Sequence, residues 1–393
     1  PQYAEAYNGL GTVYQEQGRL KKALACYKNH MHIKPDAGIE VKASLMLPVI
    51  CESTRAIVDA RKALAGNIEK MSHKALDLRN APKQIGKTNF FLAYHGLNNR
   101  HLQEKIARFY LDASPELGWQ TSLVHPHSNY DGKIKIGIIS RYLRSHTIGY
   151  LNYGVIKHLD REKFHVTVFG FAGMRDKLSA DFAKTADQAL NLPAHLAPAR
   201  QIIARQALDI LLYLDIGMDP LTYFLAFSRL APVQCTTWGH PDTTGIPNID
   251  YYISSAMAEP PGAQSHYTEK LILFDQFPMY CQRPRIPASQ IARRDLGLPE
   301  DSRLYACIQS LFKVHPDFDD IIAGILRKDP EGIILFFEGK HAQWEQLLRR
   351  RFARSLPDVC DRVRFLKRLP RDDFLAFLEI PDVFLDTPHF SGG

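Results

Sequence analysis

The sequence predicts a helical N-terminal part followed by two doubly wound α/β units, the second of them truncated. Three observations carry this prediction: a helical repeat pattern over residues 4–37, helical spacing of apolar residues as far as about residue 120, and short apolar runs that alternate with helical stretches from Lys133 onward. Such alternation is typical of a parallel sheet covered by helices on both faces.

The first element is a pair of helices with a tetratricopeptide repeat pattern. The residues that define it are Tyr7, Leu10, Gly11, Tyr14, Gly18, Ala23, Tyr27 and Pro35. Small residues let the two helices approach, aromatic residues fill the seam between them, and Pro35 ends the second helix. In the next 34 residues the pattern fails, because Ser44 and Leu45 stand where the repeat requires Leu and Gly. Because repeats of this kind need neighbours, we expect more of them before Pro1.

The remaining chain divides into a helical connector and two α/β lobes. We assign residues 1–37 to the repeat, 38–130 to the connector, 131–285 to the first lobe and 300–393 to the second. The predicted strands are 134–139, 165–171 and 209–214, then 303–308, 333–337, 362–366 and 382–385. Ligands of such sheets bind at the carboxyl ends of the strands, so two facing lobes predict a cleft.

Composition narrows the class of protein. Over 393 residues, 49 Lys and Arg face 42 Asp and Glu, and this net charge of +7 is spread thinly. That pattern does not indicate nucleic-acid binding, although it suits a phosphate-bearing ligand. Six cysteines without a CxxC pair indicate a reducing, cytoplasmic setting, and no apolar run is long enough for a membrane span.

Two motifs of the first lobe follow predicted strands. SRYLRSHTIGYL brings His146 to the edge of the sheet, where ligands gather, although a lone histidine is more often structural. APVQCTTWGHPDTTGIPNIDYY combines His240 with hydroxyl groups and backbone amides that suit a sugar diphosphate. Loops so rich in Gly and Pro are otherwise plain turns.

Two motifs of the second lobe have the same arrangement. In CIQSLFKVHPDF, Lys313 stands just before a helix that begins near His315, so it offers a cation beside helix-terminal amides to a leaving phosphate. A solvated lysine at a helix cap is the alternative. DVFLDTPHFSGG supplies Asp386 and the pair Gly392 and Gly393, a turn suited to a phosphate.

Other motifs are not expected to bind phosphate or metal. APKQIGKT lacks the first glycine of a phosphate loop, and no apolar strand precedes it. The acids of Asp317-Phe318-Asp319 suit the first turn of a helix without a metal. The pairs His30 with His32 and His125 with His127 lack further zinc ligands, so we expect no metal cofactor.

Five segments, taken in order, resemble the O-GlcNAc transferase (SPINDLY-like) family and its bacterial relatives. They are the repeat, SRYLRSHTIGYL, the loop Gly239-His240-Pro241 (the GHP loop) with its flanking residues, QSLFKVHPDF and DVFLDTP. The resemblance covers nearly the whole chain. It implies a GT-B fold, a UDP-sugar donor, inversion at the anomeric carbon, and metal-independent transfer to protein side chains. It also implies an acceptor protein held by the repeat superhelix, with no nucleic-acid or membrane partner.

The resemblance assigns roles to individual residues. His146 matches an active-site histidine near donor and acceptor, and Lys313 matches the lysine that stabilises the UDP leaving group. The donor-binding set is Gly239, His240, Pro241, Gln309, Ser310, Arg371, Phe374, Asp386, Gly392 and Gly393. Phe374 stands where eukaryotic members have a uracil-stacking histidine, Ser310 replaces a donor-contacting glutamine, and Asp242 replaces a glycine. A phenylalanine can still stack on uracil.

O-linked transfer of GlcNAc is the first choice, and N-linked transfer of glucose by a cytoplasmic bacterial enzyme is the nearest rival. A repeat-bearing adaptor on an inactive transferase fold is a third possibility, which His146 and Lys313 disfavour. A sugar-nucleotide epimerase is disfavoured by the repeat. Since the helix that should follow Gly393 is missing from the sequence, we expect weak UDP binding by residues 1–393 and stronger binding once that helix is restored.

Overall fold

A computed structural model describes residues 3–122, 132–171, 173, 176–284 and 291–391. The α-helices are α1 (Ala4–Glu16), α2 (Leu20–Ile33), α3 (Ala37–Ser44), α4 (Thr54–Ser72), α5 (Ala81–Ile85), α6 (Arg100–Ala113), α7 (Thr147–His158), α8 (Lys177–Thr185), α9 (Leu196–Ala204), α10 (Pro220–Leu225), α11 (Phe318–Lys328), α12 (Ala342–Ser355) and α13 (Arg371–Phe377). The strands are β1 (Ile134–Ile139), β2 (Phe164–Phe171), β3 (Gln188–Leu192), β4 (Ile210–Tyr213), β5 (Val233–Thr236), β6 (Tyr251–Ser255), β7 (Lys270–Phe274), β8 (Arg303–Cys307), β9 (Gly332–Phe337), β10 (Val363–Leu366) and β11 (Val383–Phe384).

The chain forms two compact units. Unit one contains the described residues of 1–64, 91–97 and 284–392, and unit two contains those of 65–90 and 98–283. The residues of the predicted connector, 38–130, are divided between the two units. The repeat also joins the second lobe within unit one.

Unit one has a parallel sheet whose described strands run in the order β10-β9-β8-β11. Its core consists of apolar side chains from the sheet and from α11 and α12, among them Ile322, Leu326, Ile334, Phe336, Leu348 and Phe352. The repeat packs on α12: the indole of Trp344 donates a 2.7 Å hydrogen bond to the carbonyl of Glu16. Continuous apolar strands suit a sheet buried on both faces.

Unit two has a parallel sheet in the order β3-β2-β1-β4-β5-β6-β7 within the described part of the chain. The chain adds strands on one side of β1 as far as β3 and then continues on the other side with β4, so the switch point of the strand order lies between β1 and β4. The carboxyl ends of β1 and β4 lie side by side at this point, where ligands of such sheets bind. Apolar residues of β1 and β2 pack against Ile148 and Ile156 of α7.

The predicted helical repeat and the α/β class with parallel sheets are confirmed, with strand bounds within two residues of those predicted for the seven named strands. Strands β3, β5, β6 and β7 were missed as separate elements, because QALNL and KLILF are short and border on turn-forming residues. Among the described residues, no helix has the length and apolarity needed to cross a membrane.

Candidate functional site

Lys313 of unit one lies between the end of β8 and the start of α11. It ends a short 3-10 helix, Leu311–Lys313. Its ammonium Nζ donates to Gln309 Oε1 at 2.9 Å and to the carbonyl of Ser391 at 3.1 Å, and it lies 4.9 Å from the centre of the Phe390 ring. Burial lowers the pKa of Lys313, against the opposing effect of Asp386. None of its described neighbours is a carboxylate within ion-pair distance.

Two parallel strands explain why these residues meet. Strand β11 pairs with β8 through Val383 with Tyr305 and Phe384 with Ala306, so both chain segments leave the sheet at the same edge. Gln309 then donates from Nε2 to Asp386 Oδ1 at 3.1 Å. The predicted residues Lys313, Gln309 and Asp386 therefore form one hydrogen-bonded row.

The other described residues predicted for the site in unit one are Ser310, Arg371 and Phe374. Ser310 precedes the 3-10 helix without capping it through its side chain. Arg371 begins α13 and is exposed, and the ring of Phe374 lies 5.7 Å from that of Phe337. Their donor-binding roles stay predictions. Gly392 and Gly393 lie outside the described residues.

His146 of unit two is the N-cap of α7. Its Nδ1 accepts a 3.2 Å hydrogen bond from the amide of Ile148, and its ring lies 4.3 Å from that of Tyr142. Burial lowers the pKa of His146, and the neighbouring charge of Arg144 acts in the same direction. With Nδ1 accepting, the neutral ring carries its proton on Nε2. The imidazole can thus cap the helix with one nitrogen and donate a hydrogen bond with the other.

The GHP loop is tightly built into unit two. A Cβ on Gly239 would lie 2.1 Å from the carbonyl oxygen of Leu214, so only glycine fits there. His240 is buried and stacks on Phe90 with ring centres 4.8 Å apart. The loop contacts are therefore largely internal to the unit.

The polar groups that follow this loop also have internal partners. The hydroxyls of Thr243 and Thr244 both donate to the Glu269 carboxylate. Asp242 accepts from Asn99 and Gln103 at 3.1 and 3.0 Å, while burial raises its pKa to about 6. The hydroxyls of Thr243 and Thr244 are therefore used inside the protein, in a segment whose hydroxyl groups were predicted to suit a sugar diphosphate. The contribution of Gly239, His240 and Pro241 to donor binding stays a prediction.

An acidic residue at the end of β4 was missed from the sequence. Asp215 is fully buried; Ser140 donates to its Oδ1, and no described residue hydrogen-bonds its Oδ2. Burial raises the pKa of Asp215 to about 8. Nearby, Ser140 and Arg141 line a cavity of about 360 Å³ at the carboxyl ends of β1 and β2. The rule that polar residues at strand ends gather at one edge would have found this acid in the segment YLDIG.

Comparisons with known proteins match the helical repeat and the α/β part of the chain separately. Residues 4–36 match the tetratricopeptide repeat, and residues 96–279 match glycosyl transferase family 41. A mutant of an O-GlcNAc transferase from Thermobaculum terrenum superposes with a TM-score of 0.75 at 24% identity, over 100% of this chain and 73% of that one. This likeness shows the fold.

Curated relatives come from plants. The probable UDP-N-acetylglucosamine–peptide N-acetylglucosaminyltransferase SEC of Arabidopsis thaliana is 24% identical over 66% of this chain and 27% of its own length. The SPINDLY protein of the same plant, with the same enzyme name, is 25% identical over 80% of this chain and 35% of its own length. The SPINDLY protein of Petunia hybrida is 30% identical over 42% and 18%. The matched part of the chain thus spans about a quarter to a third of the length of the first two relatives.

Proposed function

We propose, on the premise that residues 96–279 carry a glycosyl transferase family 41 domain, that this protein transfers N-acetylglucosamine from UDP-N-acetylglucosamine to serine or threonine side chains of proteins. The relatives named as peptide N-acetylglucosaminyltransferases support the donor and the peptide acceptor. Inversion at the anomeric carbon and independence from metal belong to the same proposal. The acceptor would be a protein or peptide bound in part by the tetratricopeptide repeat.

The observation that carries the proposal is the partly buried charge of Lys313. Its two hydrogen-bond partners are the neutral oxygens of Gln309 and Ser391. A partly buried cation whose described hydrogen-bond partners are neutral is stabilised when an anion binds beside it. Breaking the bond from the sugar to UDP builds negative charge on the diphosphate, and an ammonium fixed beside that charge stabilises the transition state. The row through Gln309 to Asp386 holds the ammonium in position.

His146 has the properties of a hydrogen-bond donor to the reacting groups. Because Nδ1 accepts the amide of Ile148, the Nε2–H group is the one directed away from the helix end. A lowered pKa keeps the ring neutral at physiological pH. We assign to His146 the orientation of the acceptor hydroxyl or of the sugar. Proton abstraction at Nε2 would require the proton to sit on Nδ1, which would remove the helix cap.

The experiment compares donors and acceptors directly. The protein is incubated with UDP-N-acetylglucosamine or UDP-glucose, and with matched peptides that contain serine, threonine or asparagine at one position. Mass spectrometry of the peptides should show a gain of N-acetylhexosamine on serine or threonine only. Glucose on asparagine would replace our proposal with N-linked transfer. Absence of any transfer, with UDP still bound, would indicate a non-catalytic adaptor.

A further inference from the structure

Two histidines and an aspartate meet at the start of α11 in unit one, outside the row of Lys313, Gln309 and Asp386. Asp317 Oδ2 lies 2.8 Å from His389 Nε2 and 3.4 Å from His315 Nδ1. The three ligand atoms all lie within 4.8 Å of one another. Among the described residues, this is the group of His, Cys, Asp and Glu side chains that meets the spacing of a metal site.

We propose that His315, Asp317 and His389 form a binding site for a divalent transition-metal ion, with zinc as the best match. Imidazole nitrogen and carboxylate oxygen are ordinary zinc ligands, and bonds of about 2.0–2.1 Å in a tetrahedron separate neighbouring ligand atoms by about 3.3 Å. The distances of 2.8 and 3.4 Å lie on either side of that value. Three protein ligands leave the fourth position to water.

The surroundings hold the ligands as the outer shell of a metal site does. Thr54 donates from its hydroxyl to Asp317 Oδ1 at 2.9 Å, which leaves Oδ2 to the two histidines. The ring of His315 also hydrogen-bonds the backbone of His95. Ligating histidines in proteins usually donate their second nitrogen to a backbone carbonyl or a carboxylate in this way.

The backbone at His389 is a second, independent sign of a specialised position. His389 has a φ of +69°, in the left-handed region that side chains other than glycine rarely adopt. Its ring fills the space beside Gly96, where an added Cβ would lie 2.6 Å from His389 Cγ. Unfavourable backbone conformations of this kind cluster at functional sites. Here the conformation directs the imidazole toward Asp317.

Neighbouring acids do not extend the site. Asp319, the other acid of the Asp317-Phe318-Asp319 motif, is buried and accepts two hydrogen bonds from Arg351, at 2.8 and 3.0 Å. The site is open on one side, because the side chain of His315 is 3% exposed whereas those of Asp317 and His389 are 47% and 37% exposed. A hydrated ion can therefore reach the ligands from solvent.

Metal binding would replace two existing hydrogen bonds. His315 Nδ1 accepts from the amide of Asp317 at 3.2 Å, and His389 Nε2 is paired with the carboxylate. The ion would exchange these bonds for coordination and tie the segment of Asp386 to Ser391 to the start of α11. Because the carbonyl of Ser391 contacts Lys313, the ion would fix this segment without entering the transfer reaction.

The test uses the whole protein after removal of metal with a chelator. Titration calorimetry with Zn²⁺ should give a single tight site that depends on this cluster, and Zn²⁺ should raise the thermal midpoint. His389→Ala and Asp317→Asn should each lower the affinity by about 100-fold or more, since loss of an outer-shell partner alone costs 10–100-fold. His101→Ala is the matched control, because His101 is exposed and its ion-pair contact is with Glu104, at 4.0 Å. It should change the affinity less than twofold.

Co²⁺ provides a second readout, since its visible spectrum reports the ligand atoms. Bands of nitrogen and oxygen ligation that disappear in His389→Ala would support the site. Strong thiolate bands would locate the ion on free cysteines such as the exposed Cys281 and overturn the proposal. Equal Zn²⁺ affinity of wild type and His389→Ala, or no Zn²⁺ binding by the wild type, would also overturn it.

Discussion

At the scale of single residues, burial shifts the pKa values of titratable groups near the candidate site. It is the largest cause that lowers the pKa of Lys313 and of His146 and that raises the pKa of Asp215. Each shift favours the neutral form, because water solvates a charge better than the protein interior does. Titratable groups with such shifts at strand ends are candidates for function.

Replacing Lys313 by Ala should lower kcat for sugar transfer by about 100-fold or more, since the ammonium acts on the charge of the leaving group. The fold should persist, because within the described part of the chain the side chain makes hydrogen bonds to Gln309 and Ser391 alone. Lys328→Ala is the control: this lysine is exposed on the last turn of α11. Steady-state kinetics with a peptide acceptor measure both variants. A rate within threefold of wild type for Lys313→Ala would remove it from the mechanism.

Replacing Asp215 by Asn should stabilise unit two at neutral pH. The pKa of Asp215 is raised from 3.8 to about 8, so the folded state retains a proton that the unfolded state loses. This contribution to stability is complete below about pH 4 and is lost as the pH rises toward 8. Asn accepts the Ser140 hydrogen bond without carrying a charge, which should be worth on the order of 2 kcal/mol at pH 7.

Urea unfolding of both forms at several pH values measures this effect. The advantage of Asp215→Asn should grow between pH 4 and pH 8. Curves that stay parallel across that range would show that the carboxyl is ionised in the folded protein.

At the scale of elements, the carboxyl ends of the strands determine which residues meet. Strands β8 and β11 pair directly, and this brings Gln309 and Asp386 together although 77 positions separate them in sequence. In unit two, the turn after β5 approaches the end of β4 so closely that the amide of Gly239 donates to the carbonyl of Leu214 at 2.9 Å. Close backbone contact of this kind tolerates no side chain.

Replacing Gly239 by Ala should therefore destabilise unit two by about 1–3 kcal/mol, the usual cost of overpacking. Its Cβ would meet the Leu214 carbonyl oxygen at 2.1 Å, and backbone atoms cannot move aside easily. Gly66→Ala is the matched control within the same unit, because no atom lies within 4 Å of an added Cβ. In the interior of α4 that change should stabilise by about 0.5–1 kcal/mol. Thermal unfolding of both variants decides: equal effects would contradict the close contact.

At the scale of the whole molecule, the candidate catalytic residues are divided between the units. Lys313, Gln309 and Asp386 belong to unit one, and His146 belongs to unit two. The repeat belongs to unit one as well, where it is attached through Trp344 of α12. The residue proposed to act on the leaving group, Lys313, therefore belongs to a different unit from His146, which is proposed to act on the sugar and the acceptor.

Replacing His146 by Asn should then reduce transfer by about 100-fold while it changes UDP affinity by less than about threefold. The side-chain oxygen of Asn can still accept from the amide of Ile148, so the start of α7 should remain intact. Transfer kinetics and UDP titration calorimetry measure the two quantities separately. Parallel losses of transfer and UDP affinity would assign His146 to the nucleotide subsite.

The sequence alone was sufficient for the repeat, the α/β class and the strand-end location of His146 and Lys313, because periodicity and strand-to-helix punctuation are local properties. Only the tertiary structure decided how the polar groups are used. Hydroxyl groups of the segment that contains the GHP loop were predicted to suit a sugar diphosphate, but those of Thr243 and Thr244 donate to Glu269. Asp317 was expected to suit the first turn of a helix without a metal, but it faces two histidines. Glu269 lies 26 positions from Thr243 and 25 from Thr244, and His389 lies 72 positions from Asp317. Among these partners, His315 alone is near in sequence to the residue that it contacts. Burial and long-range pairing follow from packing, which no local window of sequence contains.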